Sequence, residues 1–119
     1  RVKHLRFNTH PNTPTAFDCN MDTVIPSPAF VPLIRTEGWS DQNHLTSVAY
    51  YQELVLPYAD TVTEEQKKKI CKTGFYMECF MNKWWNAEYA KSRNWSKVHS
   101  LFGTYIYGVP GAPLHSLHV

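Results

Sequence analysis

The chain has 119 residues, enough for one domain that can bury roughly two-thirds of its unfolded surface. With 43% hydrophobic and 14% aromatic residues against 18% charged, it is too rich in large apolar side chains for global disorder. A net charge of +2 is too slight for an electrostatic nucleic-acid surface, so no nucleic-acid partner is expected.

Arg1, Lys3 and Arg6 precede the first acid, Asp18, a basic and acid-poor start of the kind an organellar targeting sequence leaves behind. Residues 1–38 carry five of the eight prolines. The apolar run Thr23–Ile34 contains three of them, which bar a helix or a central strand. It is expected to lie as an extended ribbon in a groove, on its own domain or on a neighbour, with Phe30 and Val31 as contact residues.

A first helix is expected at about 41–56, with Ser40 as N-cap, Asp41 at the positive helix end and Pro57 as the stop. A second helix is expected over 64–93. Thr63 and Gln66 have the spacing of a capping box, and Glu64 and Glu65 favour the first turn. At 100° per residue, Ile70, Gly74, Met77, Met81 and Trp85 share one stripe. Tyr76, Phe80, Trp84 and Ala87 form another beside it. The two stripes span about half the circumference, wider than the apolar arc of roughly 100° on a one-sided surface helix. At about 1.5 Å per residue, a straight helix over 64–93 would run roughly 45 Å and overhang a small domain.

On such a helix Cys71 and Cys79 stand about 12 Å apart along the axis, too far for a mutual disulfide. The odd count of three Cys excludes a complete internal framework. Cys19 can pair with one of the others; otherwise buried free thiols of a reducing compartment are expected. From Val98 to Val119 there is no Lys, Arg, Asp or Glu. Gly103, Gly108, Pro110, Gly111 and Pro113 nevertheless bar a membrane span, and Leu101–Tyr107 reads as a short strand or turn before an extended tail.

These readings describe a mainly α chain, a single small domain over 1–119. It has an extended arm at 1–38, a helical core at 40–94 and an extended tail at 98–119. No catalytic residue, cofactor or metal is assigned. His115 and His118 have H-x-x-H spacing, with His99 or a Cys as a further ligand, but lie in no metal-site context. The five glycines never approach phosphate-loop spacing. Asn94-Trp95-Ser96 is a glycosylation sequon. Lys67, Lys68 and Lys69 form a solvated helix face, with lipid headgroups as the alternative contact.

In organisation, Arg1–Arg6, the ribbon Pro11–Pro32, the long helix Thr63–Asn94 and the tail Val109–Val119 together resemble small supernumerary subunits of mitochondrial respiratory-chain complexes. The resemblance implies a non-catalytic accessory subunit, peripheral to the inner membrane, that stabilises a complex of larger protein subunits. Its contact residues would be Trp84, Trp85, Phe80, Met81, Met77, Tyr76, Phe30 and Val31, since aromatic side chains anchor interface cores. The alternative from another class is a secreted helical protein that binds an apolar ligand.

Overall fold

The computed structural model describes residues 1–13, 20–26, 32–71 and 77–113, with 20–26 described by backbone alone. Cys19, Phe30, Val31, Gly74, Tyr76, His115 and His118 therefore lie outside the described residues. Along the chain run β1 (His4–Arg6), β2 (Asn20–Pro26), β3 (Pro32–Thr36), β4 (His44–Thr46), α1 (Val48–Tyr50) and a π-helical turn (Tyr51–Val55). Then follow α2 (Leu56–Asp60), α3 (Glu64–Ile70), α4 (Met77–Ser92), α5 (Trp95–Phe102) and β5 (Thr104–Tyr107). The fold is α+β, which corrects the expectation of a mainly α chain with two helices. Both flanks of the helical segment are sheet.

The sheet is mixed and five-stranded, in the order β2-β3-β5-β1-β4. β1 lies parallel to β5 (His4 opposite Thr104) and antiparallel to β4 (Leu5 opposite Leu45). β3 pairs antiparallel with β5 on one side and β2 on the other, so this strand of the proline-rich arm is central. The prolines permit it by their positions. Pro32 opens β3 and stands opposite Pro26 at the end of β2, where a missing N–H breaks no interior rung. The Pro32 carbonyl still accepts from the Gly108 N–H at 2.8 Å.

The two flanks are also stitched to each other. Asn12, wholly buried, donates its side-chain amide to the carbonyls of Tyr107 (3.0 Å) and Val109 (3.1 Å). Its backbone exchanges bonds with Ala112 and Gly111. At the other end, Lys3 Nζ donates to the Leu101 carbonyl, capping the negative end of α5. Gly103 ends α5 in the left-handed region (φ 60°), and a Cβ there would meet Lys3 Cγ at 2.7 Å.

The first expected helix is displaced. Ser47, not Ser40, is the N-cap: its hydroxyl accepts from the Tyr50 N–H. Residues 44–46 are strand, and Ser40 is buried, its hydroxyl accepting from the Gln42 N–H. The helical run continues past Pro57 to Asp60, because Pro57 falls at the start of α2, where the π-helical turn hands over to α-helical bonding. That change of register leaves an amide without its helical acceptor, the position where proline is tolerated.

The capping box at Thr63 and Gln66 forms as read, with bonds of 3.2 and 2.9 Å. The long helix does not continue from it. α3 ends at Ile70, and Cys71 takes extended geometry (φ −123°, ψ 95°). Cys71 and Cys79 are joined in a disulfide with Cα atoms 6.2 Å apart, which overturns the expectation of free thiols and of a 12 Å separation. The axial-rise argument fails because the residues do not share one helix.

Candidate partner-binding groove

The residues expected to meet a partner are placed differently by the fold. Phe80, Met81 and Trp85 are wholly internal, packed with Trp39, Tyr50, Val55, Val98 and Phe102. Trp84 and Met77 pack partly buried against the same cluster. Trp84 stacks on Tyr58 at 3.9 Å between ring centroids and donates its Nε1–H to Glu88 at 3.3 Å. Among the described stripe residues, Phe80, Met81 and Trp85, with Met77 and Trp84 in part, are thus covered from within the chain, by α5, by the π-helical turn and α2, and by the Trp39 loop, while Ala87 is exposed. Asn82 holds that loop, accepting from the Trp39 N–H at 2.7 Å and donating to its carbonyl at 2.9 Å. Gly38 (φ 85°) permits the clamp, since a Cβ there would stand 2.7 Å from Asn82 Oδ1.

Among the described residues, exposed apolar side chains gather elsewhere, at the corner where β4 turns into α1. Leu45 (63% exposed), Val48 (72%) and Val2 (42%) face solvent there. A groove of ≈ 690 Å³ runs between the N-terminal segment and the helical run. Val2, Leu5, Leu45, Ala49 and Leu54 supply its apolar lining, and Lys3 and Glu53 lie on its walls. The local sequence builds it directly. Leu5 and Leu45 are cross-strand partners, and Ser47 stops the strand and starts the helix, so Ala49 and Leu54 face back toward them. Glu53 and Leu54 belong to the π-helical turn, a distortion frequent at functional sites.

Behind the groove sits a buried polar and aromatic cluster. His4 stacks on His44 (4.4 Å), tilts against Trp39 (5.0 Å) and approaches Tyr50 (6.3 Å). His44 Nε2 and the Tyr51 hydroxyl are hydrogen-bonded at 3.0 Å. Burial, then the neighbouring His44 and Arg6, lower the His4 pKa to about 3, so the ring is neutral. Burial also raises the Tyr50 and Tyr51 hydroxyls above their ordinary values. Glu78, in the first turn of α4, is raised by burial and by its hydrogen bond with Asp41, against the opposing influence of Ser40 and Arg6. Of these groups Tyr50 also lines the groove. Among the described residues no three His, Cys, Asp or Glu converge as metal ligands, and no helix is long and apolar enough to cross a membrane.

None of the groove residues is among the partner contacts expected from the sequence, although Arg1 and Lys3 belong to its basic start. The one available signal was Leu45 and Val48 beside a second serine, Ser47, which also fits an N-cap. No family model matches this chain, and neither curated proteins nor solved structures match it.

Proposed function

We propose that this chain is a non-catalytic binding domain of a disulfide-permissive compartment, docking an extended apolar segment of a larger protein partner in the groove beside β4. The observation that carries the reading is the groove itself: aliphatic side chains on both walls, at the free edge of a sheet. β4 has three residues, so ladder bonds to its outer edge contribute little, and recognition rests on side-chain pockets. The Cys71–Cys79 bond supports an oxidising compartment, since such bonds persist there and are rare where thiols are kept reduced. This keeps the accessory-component reading and moves its contact surface from the α4 aromatics to the groove.

The test is the native mass of the endogenous protein beside its Leu45→Lys and Val109→Lys variants. Both positions are exposed apolar sites, so neither change should shift stability by more than about 0.5 kcal/mol. The wild type and Val109→Lys are expected in a large assembly and Leu45→Lys as the free chain. A wild type that migrates free, or a Leu45→Lys variant that assembles normally, rejects the reading. A respiratory-chain complex is one identity the assembly can reveal.

A further inference from the structure

The sequon Asn94-Trp95-Ser96 starts in the short break between α4 and α5 and runs into the first turn of α5, and its atoms are disposed in a particular way. Asn94 and Ser96 are exposed, while Trp95 turns inward to stack on His99 at 4.8 Å beneath the Arg35 guanidinium (5.1 Å). Asn94 is the N-cap of α5: its Oδ1 accepts from the Lys97 N–H at 3.0 Å. That bond uses the oxygen of the amide. The Nδ2 amide nitrogen has no partner among the described residues, and it is the atom an N-linked sugar would take.

We propose that Asn94 is an N-glycosylation site whose glycan leaves the helix cap intact. A second observation bears on compartment alone: the Cys71–Cys79 bond marks an oxidising environment, the kind in which oligosaccharide is transferred to asparagine. The donor class is a lipid-diphosphate-linked oligosaccharide. In the transfer, Nδ2 forms a bond to the anomeric carbon as the carbon–oxygen bond to the diphosphate breaks. The diphosphate departs with the electron pair, and one Nδ2 proton passes to the base of the transferase. The product keeps one N–H on Nδ2 and a free carbonyl Oδ1, so the bond to Lys97 persists.

The position also spares the groove. Lys3, a groove residue, holds the Leu101 carbonyl at the far end of α5. Asn94 caps the near end, about 10 Å away at 1.5 Å per residue. Asn94 itself does not line the groove.

The proposal rests in part on the compartment reading, and mass spectrometry of the endogenous protein separates the two. Peptides spanning Asn94 are expected to carry an N-acetylhexosamine-based glycan, released by peptide N-glycosidase with conversion of residue 94 to Asp. Unmodified Asn94 in a protein whose Cys71 and Cys79 are oxidised overturns the glycan and leaves the compartment standing. Unmodified Asn94 with both thiols free overturns both. As a check on the cap, Asn94→Asp removes the glycan yet keeps an acceptor for the Lys97 N–H, and it is the same chain that enzymatic deglycosylation leaves from the wild type. Asn94→Gln, which loses cap and glycan together, should melt lower than that deglycosylated protein, and equal melting denies Asn94 its capping role.

Discussion

His4 is a strand residue whose imidazole lies sealed under Trp39, Tyr50 and His44. Its pKa of about 3 in the fold against an ordinary 6.5 ties stability to pH. A lowered folded pKa means that the unfolded chain binds the proton first. The stabilisation is therefore complete above 6.5 and drains away as pH falls toward 3, by about 1.4 kcal/mol per pH unit. His99, lowered chiefly by burial, acts in the same sense. Glu78 acts in the opposite sense, because its raised pKa makes ionisation a cost at neutral pH that acid relieves. Urea unfolding of the wild type and His4→Gln between pH 7 and pH 5 should give a shallower pH slope for the variant. Parallel slopes would mean that the folded protein accepts a proton on His4.

At the scale of elements, the disulfide decides how the helical segment is cut. It ties the end of α3 to the first turn of α4 across eight positions, a loop closure that stabilises by about 2.5 kcal/mol in the chain-entropy model. Replacing Cys71 and Cys79 by Ser should cost the fold about that much in urea unfolding. Unchanged stability with increased helical ellipticity would favour one continuous helix instead. The capping box at Thr63 was legible because it depends on two residues three apart and nothing else. The break was not, since the apolar stripes on either side of it keep helical phase; Lys72-Thr73-Gly74 was the local signal against them. β4 was misread for a related reason. Ser40 and Ser47 both suit an N-cap, and Leu45 and Val48 fit a helical core face although the fold exposes both. Only pairing with β1 distinguishes the readings, and that pairing is tertiary.

On the scale of the whole molecule, the fold closes through contacts that no local pattern encodes. β1 and β5 pair in parallel from opposite ends of the chain, Asn12 sews the same two ends together, and the groove joins residues 1–5 to residues 45–54. The radius of gyration, 14.5 Å, is close to the roughly 13.5 Å expected of a compact domain of this length. Proline content and charge-free composition resembled arms because such segments rarely sit inside a sheet; here Pro26 and Pro32 stand at strand ends. Phe80, Met81 and Trp85 belong to the chain's own core, and the central claim is that the isolated chain folds without a partner. Urea unfolding of the purified, oxidised chain, followed by tryptophan fluorescence and near-ultraviolet circular dichroism, tests it most directly. The account predicts one cooperative transition, coincident by both probes, with a slope of about 1–3 kcal/mol per molar urea. It also predicts that Trp85→Ala lowers stability by about 3–5 kcal/mol. A chain that shows no cooperative transition alone and orders its tryptophans only on adding a partner would contradict it.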